Sequence, residues 1–220
     1  MSQLNEISVK INEPHNGKPI TAIEVSPKVT YLVTYSSEDK SIIGWYVEDT
    51  DEGHLKQDDY RHAIVHDLEK YNICNICVSD DKKLAYIYGV DSDNCRLVII
   101  DMNNNGKEIE LNLDIFESIT NYYCTFNLKG DFILYNKVDN IYNKFDTRND
   151  IIRIYNTQTK NNKWTCKSIY KIPEGFEFIS ISKYNKLYLL SSNDHCIYEC
   201  NLRTEECLKI FIKGGQSFQQ

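Results

Sequence analysis

Apolar residues in this chain fall in short runs that alternate with period two and stop at clusters of Asn, Asp, Gly or Lys. That pattern predicts half-buried strands, whose successive side chains point to opposite faces of a sheet. No stripe of period 3.6 stands out. One segment leaves the choice open: DDYRHAIVHDLEKY, residues 58–71, reads as a helix or as an outer strand.

Four segments superpose without a gap on the anchors Ser26, Ser79, Asn127 and Ser182. One residue before the anchor stand Val25, Val78, Phe126 and Ile181; three before it stand Ile23, Ile76, Cys124 and Ile179. Five after it come Tyr31, Leu84, Phe132 and Leu187; seven after it come Val33, Tyr86, Leu134 and Leu189. Every one of these positions is apolar, and within a strand the two are separated by two residues, so they share a face. Turn residues (Lys28, Asp80-Asp81, Lys129-Gly130, Tyr184-Asn185) separate the two strands, so each segment is predicted to be a hairpin with one buried face.

A third strand is predicted at 39–45, 94–100, 149–155 and 194–200, opening on Asp or Asn and closing on Trp45, Ile100, Tyr155 or Cys200. A fourth is predicted at 61–66, 107–113, 163–170 and 206–212. Four strands in a repeat of roughly 40–50 residues predict an all-β chain of the β-propeller type. The expected organisation is a single domain over 1–220 with blades at 19–70, 71–114, 119–172 and 175–212. ISVKI, residues 7–11, is one strand too many for four blades. Unpaired edges invite association. The chain is therefore expected to be part of a larger ring of six to eight blades, or to self-associate through open blade edges, with a closed four-bladed ring as the rival.

The third strand DKSIIGW, residues 39–45, resembles that of WD-repeat propellers, and the likeness extends over residues 19–212 as four degenerate blades. The Trp-Asp dipeptide and a clear Gly-His pair opening each blade are missing from the pattern. The stretches KINEPHNGKPITAIEVSP, YYCTFNLKGDFILY and TQTKNNKW are also similar to an expanded group of fungal propeller proteins. Longer members of that group place the propeller before a membrane segment resembling ion channels. That resemblance implies a second role, an N-terminal regulatory module of a larger membrane protein.

Charge narrows the partners. A net charge of −7 with no run of Lys and Arg excludes a nucleic-acid surface, which needs a basic face. No segment approaches the ~18–20 apolar residues of a membrane span, so no direct insertion is expected. The N-terminus has no apolar signal region, which leads to the expectation of a cytoplasmic location. The eight cysteines are accordingly expected as reduced thiols.

The candidate metal and redox residues compare poorly with the chemistry they would have to perform. Cys74 and Cys77 lie on a strand and point to opposite faces, whereas a zinc knuckle needs both thiolates on one ion. Cys196 and Cys200 share a face but stand ~13 Å apart at ~3.3 Å per residue, too far for one metal together with His195 and Cys207. Cys124 falls in a core column and is expected to be a buried thiol. His62 and His66 are spaced for zinc on a helix, but Ala63 occupies the place of a general base. The acidic loop EDTDEG, residues 48–53, fails the calcium-loop pattern at His54 and Tyr60. KGGQ, residues 213–216, lacks the rest of a phosphate loop, and no Gly-x-Ser-x-Gly occurs. Trp45 and Trp164 lie in strand patterns and are expected to be packing residues. No catalytic, cofactor-binding or metal-binding residue emerges. The expectation is a non-enzymatic interaction scaffold with a protein or peptide partner and no cofactor. A propeller enzyme, or a metal site assembled across blades, is the alternative.

Overall fold

The computed structural model describes residues 13–48, 55–63, 73–91, 94–111, 119–138, 150–158 and 163–211. ISVKI, most of the acidic loop, His66 and KGGQ lie outside the described residues. Four sheets follow one another along the chain, each an antiparallel meander in which sequence neighbours pair. The first contains β1 (Ala22–Val25), β2 (Tyr31–Ser36), β3 (Ser41–Val47) and β4 (Leu55–Ala63). The second contains β5 (Ile73–Val78), β6 (Lys83–Asp91), β7 (Asn94–Asp101) and β8 (Lys107–Glu108). The chain then runs through β9 (Glu110–Leu111) into the third sheet: β10 (Ile119–Phe126), β11 (Phe132–Val138), β12 (Ile151–Asn156) and β13 (Lys163–Lys171). β9 pairs in parallel with β13 and adds a fifth strand to that sheet's outer edge. The fourth contains β14 (Phe176–Ile181), β15 (Lys186–Ser191), β16 (Ile197–Asn201) and β17 (Cys207–Phe211). The molecule is an all-β propeller whose blades are these sheets.

The segment left open between helix and strand is strand through Ala63, and β4 begins at Leu55, earlier than the predicted 61–66. His62 therefore sits opposite Ile42 in a sheet.

Each hairpin turn is built by its anchor. Ser79 Oγ accepts from the Lys83 amide (2.8 Å), Asn127 Oδ1 from the Asp131 amide (2.9 Å) and Ser182 Oγ from the Lys186 amide (3.2 Å). In the first blade Ser26 Oγ instead accepts from the Tyr31 amide (3.1 Å), one residue further along. That extra residue shifts the register. Val78 pairs with Leu84, Phe126 with Phe132 and Ile181 with Leu187, but Val25 pairs with Leu32. The gapless alignment thus fails in the first blade, because a slip of one residue reverses every side chain. Tyr31 and Val33 are buried against the second blade, while Ile23 and Val25 turn outward and are 61% and 41% exposed. Gly44 belongs to this arrangement, since a Cβ there would overlap the Tyr31 hydroxyl. Ile179 also leaves its predicted column, at 45% exposed, because a bulge between Phe178 and Ser180 displaces it.

Three apolar clusters join the blades in order. Tyr31, Val33 and Ile42 meet Val78, Leu84 and Ile100 between the first and second. Ala85 and Ile99 meet Phe126, Phe132 and Trp164 between the second and third. Ile133 and Ile152 meet Ile181, Leu187 and Cys200 between the third and fourth. Trp164 is the packing residue its strand pattern predicts, with its ring centroid 5.3 Å from that of Phe132.

The two outward faces differ in character. On the first blade, the short 3-10 turn Pro14–Gly17 covers one end. It inserts His15, which is fully buried, so that Nδ1 hydrogen-bonds Ser41 Oγ (2.6 Å) and Nε2 hydrogen-bonds Thr34 Oγ1 (2.8 Å). Trp45 Nε1 donates to the same Thr34 oxygen (2.8 Å), and Ser41 Oγ donates to Asp39 (2.7 Å). On the fourth blade, Glu199 stands where Ile99 and Ile154 are buried in the second and third. It accepts from Tyr188 (3.1 Å) and pairs with Lys186 (3.0 Å). A further blade packed there would enclose this ion pair and its tyrosine.

One polar joint carries a pH signature. Lys82 of the second blade sits 4.3 Å from the Tyr46 ring centroid and 2.7 Å from the Asp58 carboxylate, which also accepts from the Tyr31 hydroxyl at 2.7 Å. Burial alone would raise the Asp58 pKa, but the Lys82 ammonium and Tyr31 hydroxyl more than offset it and hold it below the usual carboxylate range. A depressed carboxyl stabilises the fold above its unfolded pKa, near 4, and that contribution disappears as pH falls through the folded value. Wild type should therefore exceed Asp58→Asn in urea stability at pH 6, and the gap should narrow as pH is lowered below about 4. A gap that stays constant over that range would remove Lys82–Asp58 as a joint.

Candidate functional site

The inner ends of the blades converge. Strands β1, β5 and β10 run side by side, and their hairpin turns are tied to one another. The Lys28 amide donates to Asp80 (2.9 Å), joining the first and second turns. Asn75 Oδ1 accepts from the Cys124 amide (2.9 Å), joining the second and third blades. Asn127 Nδ2 donates to Asn185 Oδ1 (2.8 Å), joining the third and fourth. Lys183 Nζ then reaches back from the fourth turn to the Pro27 carbonyl (3.0 Å). No apolar cluster of the described residues joins the fourth blade to the first, so this polar contact spans the gap.

Within this ring of turns lies an open cavity of about 260 Å³. Its apolar wall is Val25, Val29, Val78 and Phe126, and its polar groups come from Glu24, Cys77, Thr125 and Lys183. Val29, with φ +64, projects its side chain 51% exposed at the mouth. Glu24 is the exception in its column. It lies opposite Val33, and the residues in the same register in the other blades, Ile76 opposite Tyr86, Cys124 opposite Leu134 and Phe178 opposite Leu189, are uncharged. Burial raises the Glu24 pKa, and among the described residues its carboxyl has no hydrogen-bond or ion-pair partner.

Behind the wall the thiols of Cys77 and Cys124 touch. Cys77 Sγ donates to Cys124 Sγ (3.4 Å), which donates to Asn75 Oδ1 (3.0 Å). Burial, followed by the neighbouring thiol, pushes the Cys77 pKa up, which opposes thiolate chemistry. Cys124 is the buried thiol its column predicts. Cys74 is exposed, and a bulge between Ile73 and Asn75 breaks the alternation that would set it opposite Cys77. Among the described residues, no group of three or more His, Cys, Asp or Glu is arranged to hold a metal ion.

The C-terminal cysteines correct the expectation of reduced thiols. Cys200 and Cys207 form a disulfide, whereas Cys196 is buried and its Sγ donates to the Asp194 carbonyl (3.1 Å). The pairing follows from the hairpin: the two residues are directly opposite on β16 and β17, with Cα atoms 4.0 Å apart. Such a crosslink closes a short loop in the unfolded chain and is worth about 2.4 kcal/mol by loop-closure entropy. Cys207→Ser should lower the urea midpoint, and reduced wild type should match it. Indifference of wild type to reductant would show that the bond does not support the blade.

The sequence missed Glu24 and His15. Glu24 could have been found as the charged member of its column, and His15 as the histidine preceding the first hairpin in PHNGKPITAIEVSP.

No family model and no curated protein matches the chain, so the likeness to the fungal group finds no support there. Solved structures are similar to it in fold. The WD40 domain of Toxoplasma gondii coronin is 14% identical over 87% of this chain and 45% of its own, with a TM-score of 0.45. A dihydro-heme d1 dehydrogenase, NirN, is 13% identical over 87% of this chain and 36% of its own, at 0.47. A putative 6-phosphogluconolactonase from Bacteroides fragilis is 13% identical over 87% and 53%, at 0.41. The chain thus spans about a third to a half of these structures. Two of the three carry enzyme names, so the expectation that the chain is not an enzyme is withdrawn. No helix among the described residues is long and apolar enough to cross a membrane.

Proposed function

We propose that the chain is an interaction module that receives an extended segment of a protein partner at the mouth formed by its inner turns. The carrying observation is the cavity of about 260 Å³ where all four blades meet, with Val25 and Val29 exposed at its edge. Its volume is below the roughly 300–1,000 Å³ of small-molecule pockets. It has room for one or two side chains of a longer ligand that continues across the turns. Contiguous exposed apolar residues beside polar groups are the usual makings of such a contact.

Panning a random dodecapeptide phage library on the full chain tests this. Val25→Arg fills the mouth at an exposed position and should leave the melting temperature unchanged. Selected peptides should bind it at least ten-fold more weakly than wild type. Peptides that bind Val25→Arg as well as wild type would place recognition elsewhere and end this reading.

A further inference from the structure

We propose that the cavity selects a positively charged side chain, lysine or arginine, of the bound segment, and that the Glu24 carboxylate is the group that selects it. This rests on the mouth being the binding site. Glu24 lines the cavity, and among the described residues it has neither a hydrogen-bond donor nor an ion-pair partner. A carboxylate drawn partly out of water without a partner is costly, and the protein keeps one at a position where its other blades carry Ile76, Cys124 and Phe178. Lys183, the cation at the cavity, is committed to the Pro27 carbonyl and forms no ion pair with Glu24.

The remaining walls fit the stem of such a side chain. A lysine or arginine buries its methylenes against apolar surface while its head reaches a polar group, and here Val25, Val78 and Phe126 flank Glu24. The net charge of −7 adds long-range attraction for a basic segment. An acidic or purely apolar side chain would leave Glu24 opposed or unpaired.

The groups facing Glu24 make its titration readable. From β5 comes the Cys77 thiol, and from β10 come Cys124 and the Tyr123 phenol; burial raises both Cys77 and Tyr123. Val33 of β2 opposite is neutral, and Lys183 stands at the fourth turn. Binding followed from pH 7 downward should therefore weaken as pH falls through the raised Glu24 pKa.

The test uses the peptides whose binding is lost in Val25→Arg, measured by calorimetry on wild type and Glu24→Gln. These peptides should share a Lys or Arg at one position, and its replacement by Gln should weaken binding to wild type at least ten-fold. In Glu24→Gln the cationic and Gln peptides should bind alike, and this pH dependence should vanish. Glu24→Gln should fold at least as well as wild type, since it removes a desolvated charge. Peptides sensitive to Val25→Arg but lacking a shared cation, or cation preference that survives in Glu24→Gln, would overturn the inference and leave the site standing. The absence of any peptide sensitive to Val25→Arg would overturn both.

Discussion

Leu134→Asp will not unfold cooperatively, because the chain that carries it will not reach the native state. Leu134 is 1% exposed in the layer between the second and third blades, packed with Phe126, Phe132 and Trp164. Losing a buried leucine costs about 2–5 kcal/mol through lost transfer and a cavity. The aspartate then adds a carboxyl with no cation in an apolar layer, a further cost of several kcal/mol whether it stays charged or takes a proton. Together these rival the roughly 5–15 kcal/mol that stabilises a typical domain. Near-ultraviolet circular dichroism and urea titration provide the measurement. A cooperative transition within about 1 kcal/mol of wild type would mean that Leu134 does not face the layer. The companion variants examine the register of the first blade. Ile23→Asp, at 61% exposed, should stay within about 0.5 kcal/mol of wild type. Val33→Asp, fully buried against the second blade, should be as damaging as Leu134→Asp. If Ile23→Asp unfolds the protein, the extra turn residue is not there.

His15→Ala is the second large effect, expected at about 2–3 kcal/mol. The imidazole is fully buried and joins Thr34 and Ser41, which lie on neighbouring strands. Removing it leaves two buried hydroxyls each short of a partner, at about 1 kcal/mol apiece, and opens a void beneath the Pro14–Gly17 turn. It also frees that turn from the first blade's outer face. Urea denaturation should show the lower midpoint, and hydrogen exchange at Thr34 and Ser41 should speed up beyond the global change. A loss below about 0.5 kcal/mol would mean that the turn does not brace the blade.

Much of the fold was legible because blades repeat a local code. A polar anchor able to cap a turn, flanked by apolar residues at fixed offsets, identifies a hairpin from sequence, and Ser79, Asn127 and Ser182 fulfil that role in the same way. The first blade broke the code invisibly. Ile23, Val25, Tyr31 and Val33 are apolar in either register, so the pattern could not report the one-residue insertion. The disulfide was illegible for a related reason. Cys200 and Cys207 are seven residues apart in sequence but directly opposite in register, and the sequence leaves the length of their turn open.

The order of apolar and polar residues was enough to specify strands, hairpins, a fourfold repeat and an all-β propeller, because these depend on side-chain period and turn chemistry within a few dozen residues. It also specified a net charge of −7 and apolar runs shorter than the ~18–20 residues of a membrane span. Which face each strand of the first blade presents, which cysteines meet, and that Glu24 lines a cavity without a partner were decided by the packing of blades against one another. Those contacts join residues as far apart as Pro27 and Lys183, and no local pattern records a distance of that kind.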